Sequence, residues 1–358
     1  MSTFESQFSI KAFAPVNIAW IKYMGKIDGK PSNSSLSWTL SSYGTTTSMR
    51  VIPGSAHLIF RWDEKGYVPP QTGILKAEMF LRNESHWNKL LQQFGFEVHM
   101  PSTDVMIHTL NNVPAGTGIA TSASAFAALT LAWSAVLAGP RSSEWIAKFN
   151  SHDPDFRKAL ASVAAKGSGS ACRSLDGPWV EWSPAEGIRK INAAKTQWLD
   201  FILLIDSEPK AVPSSEAHQR VKTSHLFKGR AERAEKRLQE LKTLLTSTVS
   251  GISPIRKLVL EEALDMHELF HTSAPPFSYM TSASREVIAC IEKHSEEFDL
   301  GLPSLNSVIT LDAGANVHLF VPLQERDEWT FWIQQEFPGL KFLVDVPVDD
   351  GGARYEII

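Results

Sequence analysis

Residues 111–126, Asn-Asn-Val-Pro-Ala-Gly-Thr-Gly-Ile-Ala-Thr-Ser-Ala-Ser-Ala-Phe, constrain this chain more than any other stretch. Apolar recurrence over 104–110 predicts a strand entering the segment. Ser122–Leu137, Ala-rich and carrying Phe126, Leu129, Leu131, Trp133 and Val136 for packing, predicts a long helix leaving it. The turn between them delivers Gly116, Gly118, Thr121, Ser122 and Ser124 into a helix start, where free backbone N–H groups favour an anion. The glycines allow close approach, and the hydroxyls can either cap the helix or contact phosphate. The lysine followed by serine or threonine that marks the common phosphate loop of nucleotide hydrolases is missing.

A second turn of similar composition, Lys166-Gly167-Ser168-Gly169-Ser170, leads into Ala171-Cys172-Arg173-Ser174. Glycines and hydroxyls beside positive charge suit phosphoryl oxygens, and they suit a purely structural turn as well. Alternation over residues 8–21 predicts a strand running into Lys22-Tyr23-Met24-Gly25-Lys26. Lys22 and Lys26 either flank an acidic substrate or make surface ion pairs, while Ser34 and Ser35 either touch substrate or only build a turn. Strands predicted over 306–311 and 317–321 flank Asp312-Ala313-Gly314-Ala315-Asn316. A turn can expose a carboxylate without surrendering its strands, which makes Asp312 the best isolated candidate for proton chemistry, with a cap as the structural alternative. His267 is open between a site role and a paired structural histidine.

A chain of 358 residues can bury a large core and is long enough for two domains. A formal charge of -4 argues against a broad nucleic-acid-binding surface and leaves room for a local basic pocket. No apolar run reaches membrane-spanning length, and a basic-then-apolar secretory pattern is missing at the start. A soluble cytoplasmic protein binding neither membrane nor nucleic acid is expected. Cys172 and Cys290 offer neither metal-ligand spacing nor a disulfide framework, and spacing assigns no metal ligands.

Further strands are predicted over 36–40, 45–52, 56–62 and 96–100, with an unreadable connection at 63–75 and helices over 83–94, 142–150 and 154–165. A strand over 178–182 precedes a polar connection at 183–197, where a boundary between domains of residues 1–190 and 195–358 is placed. Beyond a strand at 201–205, helices are predicted within 216–244 and over 254–271, 282–294 and 325–336. In the first of these, Leu226, Phe227, Ala231, Ala234, Leu238 and Leu241 form an apolar stripe with the charged residues facing outward. A strand over 340–346 and a polar, glycine-rich tail complete the chain.

Taken together, the ordered motifs resemble the GHMP small-molecule kinase family, and within it the mevalonate diphosphate decarboxylases. The resemblance is carried by Ala14–Lys26, Asn33–Ser37, the 111–126 loop, Lys166–Leu175, Pro275–Met280 and Leu311–Asn316, and spans most of residues 11–321. It implies an α/β fold with an amino-terminal GHMP nucleotide domain, a carboxyl-terminal ferredoxin-like domain and the active site between them. It implies ATP and Mg²⁺, a small phosphorylated hydroxy-acid substrate, phosphorylation of a tertiary hydroxyl, and loss of phosphate and carbon dioxide. By the same resemblance Asp312 orients or deprotonates the hydroxyl with Lys22 beside it. Tyr23, Lys26, Ser34, Ser35, Ser170 and Arg173 fall on the substrate side, and Pro114, Gly116, Gly118, Ala120, Thr121, Ser122 and Ser124 on the ATP phosphate side. A homodimer is implied as well.

Three positions depart from the family pattern. Ala165 stands where an arginine holding the substrate carboxylate is usual, Met24 replaces a tryptophan, and Ala125 replaces a glycine. An uncompensated loss of such a charge contact would cost about 2–5 kcal/mol. Ala165 and Met24 therefore leave open a kinase or decarboxylase acting on a related hydroxy acid or on mevalonate monophosphate, and a ligand-binding homologue without chemistry.

Overall fold

The computed structural model describes residues 8–27, 30–62, 71–113, 121–193, 197–206, 210–247, 251–299, 305–347 and 351–356. The first half contains β1 (Ser9–Ile21), β2 (Lys26–Ile27), β3 (Lys30–Pro31), β4 (Ser35–Ile52), β5 (Leu58–Trp62), α1 (Gln71–Leu81), α2 (Glu84–Gln93), β6 (Asp104–Asn111) and α3 (Thr121–Leu137). It continues with α4 (Ser142–Asn150), α5 (Pro154–Gly167), β7 (Trp179–Ser183) and β8 (Gly187–Lys190). The second half contains β9 (Trp198–Leu204), α6 (Ser214–Arg220), α7 (Arg230–Thr246), α8 (Ile252–His271), α9 (Ser282–Asp299), β10 (Val308–Thr310), β11 (Val317–Pro322), α10 (Arg326–Glu336), β12 (Lys341–Asp345) and β13 (Arg354–Glu356).

The first sheet runs β13-β1-β4-β6-β5, with β7 paired to β4 and β8 to β7. Its first core packs Trp87, Trp133, Trp145, Phe149 and Phe156 of the helices against Ile10, Met49 and Ile107 of the strands. Helix α3 is buried at every position from Phe126 to Leu137, as expected of a helix that is apolar all round. Several expectations are corrected here. The strands expected at 36–40 and 45–52 are one strand, β4, because β1 pairs with it across both segments. Residues 96–100 form no strand; the His99 N–H donates instead to the carbonyl of Leu137, the last residue of α3. Part of the 63–75 connection belongs to α1, and the glycine-rich tail contains β13, which pairs antiparallel with β1.

The carboxyl-terminal unit is ferredoxin-like, an antiparallel sheet in the order β10-β11-β9-β12 with helices against it. A second core joins it to the first sheet. Trp20 of β1 is fully buried, its ring centroid 4.6 Å from Trp179, 5.4 Å from Trp198 and 5.1 Å from Phe320, all edge-on. Edge-to-face aromatic contacts add to area burial, so this cluster fixes one sheet on the other. Trp20→Ala is expected to cost about 3–5 kcal/mol, read from urea unfolding midpoints. The indole N–H has no partner among the described residues, so Trp20→Phe should cost clearly less. Among the described residues, no single helix is long and apolar enough to cross a membrane.

Candidate active site

Lys22 is the first residue after β1, whose pairing with β4 shifts register between Ala19 and Ile21. Such an irregularity re-aims the strand end. The Lys22 ammonium donates at 2.7 Å to Asp312 Oδ1 and at 2.7 Å to the Ala19 carbonyl. Its peptide is equally fixed: the N–H donates to Glu262 Oε1 at 3.1 Å, and the carbonyl accepts from Arg230 at 2.9 Å and Asn33 at 3.1 Å. Asp312 sits in the turn between β10 and β11 with 22 % of its side chain accessible, against 2 % for Lys22, so the carboxylate is the open end of the pair.

Burial would raise the Asp312 carboxyl, but Lys22, His318 and Arg173 outweigh it and hold it below the ordinary carboxylate range. Burial lowers the Lys22 ammonium, against the opposing pull of Asp312 and Glu262. A depressed carboxylate stabilises the fold above its unfolded pKa and loses that contribution as pH falls through the folded value. The stability gap between wild type and Asp312→Asn is therefore expected to be full near neutral pH and to close on acidification below the ordinary carboxylate range, by urea midpoints.

Arg173 is 4 % exposed in a short helical turn after α5. Nη1 donates to Ser35 Oγ at 2.7 Å, and Nε to Ser37 Oγ at 3.1 Å and Asn17 Oδ1 at 3.3 Å. None of these partners is a carboxylate, so among the described residues the guanidinium makes no direct ion pair, Asp312 acting on it only at longer range. Asn17 also donates to Ser174 Oγ and the Ser170 carbonyl, tying the turn to β1. The guanidinium lies 5.8 Å from the Tyr23 ring centroid, and Tyr23 stacks on His218 at 5.2 Å. The Tyr23 hydroxyl lies where a Cβ at residue 169 would be, so Gly169 permits this approach. Burial pushes Tyr23 up to about 12, which leaves it a donor at neutral pH.

Ser34 and Ser35 are buried rather than open. The Ser34 N–H donates to Glu235 Oε1 at 2.6 Å, and the Ser35 hydroxyl serves Arg173. Lys26, on the β2–β3 hairpin, has no carboxylate partner among the described residues, nor has Lys76 of α1. Burial, then Lys26, lowers the Lys76 ammonium, so the two cations share one field. Pro114, Gly116, Gly118 and Ala120 lie outside the described residues. Thr121 and exposed Ser122 open α3, whereas the Ser124 hydroxyl is engaged by Thr45 at 2.7 Å and the Thr121 carbonyl at 3.0 Å. A helix start with uncommitted cations suits a polyphosphate. No group of three or more His, Cys, Asp or Glu among the described residues could hold a metal, so an Mg²⁺ here would sit mainly on phosphate oxygens.

Residues 14–191 match the family model of the diphosphomevalonate decarboxylase-like N-terminal domain, and residues 201–347 that of the mevalonate 5-diphosphate decarboxylase C-terminal domain. The chain belongs to the diphosphomevalonate decarboxylase family. Its two-domain architecture is accordingly that of the GHMP kinases. The family's enzyme from Eremothecium gossypii is 30 % identical over 322 residues, covering 86 % of this chain and 76 % of that one. The mevalonate diphosphate decarboxylase structure from Legionella pneumophila is 29 % identical with a TM-score of 0.77, covering 94 % of this chain and all of that one. MDDEF, solved in complex with MVAPP, AMPPCP and magnesium, is 25 % identical with a TM-score of 0.78 over 98 % of this chain and 99 % of that one.

Two departures from the family pattern acquire locations. Ala165 packs against the first core, and Met24 is buried among Val212, Met266, Phe270 and Tyr279. Eight residues further along the same motif, Arg173 is a buried guanidinium. Sequence reasoning missed His218, which accepts the Gly25 N–H at 3.0 Å and is pulled down to about 4 by burial and Lys26. Gly25, at φ +95°, requires glycine there. It also missed Lys76, hidden in a stretch with weak periodicity, and the buried Arg230–Glu262 pair.

Proposed function

We propose that this chain is an ATP-dependent decarboxylase converting mevalonate 5-diphosphate to isopentenyl diphosphate, ADP, phosphate and carbon dioxide. The observation that carries the reading is the Lys22–Asp312 pair, with the buried Arg173 near enough to influence both members. Family membership, the Eremothecium gossypii relative and the MDDEF complex support it.

Asp312 accepts a hydrogen bond from the tertiary O–H and aligns its oxygen with the γ-phosphorus of ATP. Its depressed pKa makes it a weak base, which suits a loose transfer in which the proton moves late. The new O–P bond forms as the bond to ADP breaks. The C3–O bond to phosphate then breaks, the electron pair of the C–carboxyl bond becomes the new double bond, and carbon dioxide leaves. Arg173 holds the carboxylate in the orientation this elimination needs, and Asn17, Ser35 and Ser37 hold Arg173. Lys22 balances the charge gathered near Asp312. Tyr23, Lys26 and Ser170 bind the diphosphate, while Lys76 and the start of α3 with Thr121 and Ser122 face ATP phosphates. Mg²⁺ bound to those phosphates supplies neutralisation of the transferring charge.

The same reading assigns residues 1–190 to nucleotide binding and 195–358 to closing the substrate site, β13 returning to the first sheet. A cytoplasmic homodimer fits the composition and the family resemblance. Neither Ala165 nor Met24 removes a group from the Lys22–Asp312–Arg173 constellation, so no second substrate is favoured. The test is a product-resolved assay of mevalonate diphosphate, its monophosphate and the unphosphorylated acid with ATP and Mg²⁺. The diphosphate should give ADP and carbon dioxide in equal amounts. ADP without carbon dioxide from every acid would make the chain a kinase instead.

A further inference from the structure

Helix α8 touches both members of the Lys22–Asp312 pair from behind: Glu262 accepts the Lys22 N–H at 3.1 Å, and five residues later His267 Nε2 lies 3.2 Å from the Asp312 backbone carbonyl. From this geometry we infer that His267 is a positioning residue for the proposed reaction, clamping the turn that presents Asp312 to the substrate. The inference rests on the proposed function for its rate effect, and on the geometry alone for its effect on Asp312.

A carbonyl oxygen can only accept, so Nε2 must carry the hydrogen, and His267 is the neutral Nε2–H tautomer. Nδ1 is then a bare acceptor. Among the described residues it has no partner, in an imidazole that is 1 % exposed, an arrangement that costs free energy. Packing against Phe270, at 5.3 Å and 76° between planes, would be met by a purely apolar ring without that cost. What the imidazole adds is its single donated bond to Asp312. Burial first and Lys22 second pull His267 down to about 3, so it stays neutral and keeps this bond wherever the enzyme works.

The carbonyl belongs to the residue whose carboxylate meets Lys22, so slack in this bond moves that carboxylate. Groups acting on it from neighbouring elements are Lys22 after β1, Arg173 after α5, Lys210 before α6 and His318 on β11. All are cations when protonated. Drift away from them raises the Asp312 pKa and loses alignment with the hydroxyl.

Two variants separate positioning from mere filling, with the wild type as reference: His267→Phe keeps a ring and loses the donor, and His267→Gln keeps a donor near the Nε2 position. With mevalonate diphosphate, ATP and Mg²⁺, His267→Phe should lower kcat by about 10- to 100-fold with KM for ATP within about twofold, and His267→Gln should recover most of the loss. The acid limb of the kcat profile should move up in His267→Phe and return in His267→Gln. An unchanged rate, or equal loss in both variants with an unmoved acid limb, overturns the inference. If wild type shows no turnover, the proposed function fails instead, and the positioning role is read from the Asp312 carboxyl titration by ¹³C NMR, raised in His267→Phe and restored in His267→Gln. Should His267→Phe not fold, ¹⁵N NMR of the wild-type ring decides: the Nε2–H tautomer supports the clamp, and the Nδ1–H tautomer refutes it.

Discussion

Asp312→Asn is expected to lower kcat for carbon dioxide release by about 10²- to 10⁴-fold, the range for removing a positioned proton acceptor. Asparagine keeps the shape but can no longer take the hydroxyl proton, and it strips Lys22 of its buried counter-charge. Because the lost group acts on the hydroxyl and not on nucleotide, KM for ATP should stay close to wild type, and kcat and kcat/KM for the acid should fall together. ADP and carbon dioxide should fall in the same proportion, since phosphorylation comes first. Carbon dioxide falling while ADP release persists at the wild-type rate would place Asp312 in the elimination alone.

Arg173→Met should lower kcat/KM for the acid by about 30- to 3,000-fold, the equivalent of about 2–5 kcal/mol for truncating a hydrogen-bonded buried charge that meets an anion. Among the described residues the cation hydrogen-bonds only the neutral oxygens of Asn17, Ser35 and Ser37, so an incoming carboxylate would supply its direct ion-pair partner. Arg173→Lys should recover little, because an ammonium lacks the planar fork that reaches Asn17, Ser35, Ser37 and substrate together. Steady-state kinetics with each acid checks this. Equal loss for the carboxylate substrate and for nucleotide binding would mean that the substitution disturbs the fold instead of one contact.

Much of this architecture is legible in the sequence where the signal is local. The strand into the 111–126 loop and the buried α3 beyond it follow from periodicity, and the turn around Asp312 from two flanking apolar runs. Elements decided by distant partners are not legible. β13 is a three-residue strand that exists because β1 offers it an edge, and Gly73 and scattered polar residues obscure α1. Residues 96–100 look like a strand but follow α2 without a partner strand, their His99 N–H being taken by the end of α3.

The site divides in the same way. Lys22, Tyr23, Asp312 and Arg173 are visible as motif residues, but partners that aim them are distant in sequence, Ser37 lying 136 residues from Arg173 and Asp312 290 from Lys22. Arg230 looks like one more solvent-facing charge on α7 and is instead buried against Glu262, where it holds the Lys22 carbonyl. Ser35 is visible as a candidate substrate contact, whereas its hydrogen bond from Arg173 is visible only in the fold. Ala165 looks like a missing charge, and its place lies against an apolar core. Spacing within a motif does not report which of its residues the fold buries.

The most direct measurement uses mevalonate diphosphate labelled with ¹⁴C at its carboxyl carbon, incubated with the purified protein, ATP and Mg²⁺. Labelled carbon dioxide is expected in equal amount to ADP, with none released when ATP is omitted and next to none from Asp312→Asn. Labelled carbon retained in a phosphorylated acid, or carbon dioxide released without ATP, would contradict the coupled reaction at the Lys22–Asp312 pair.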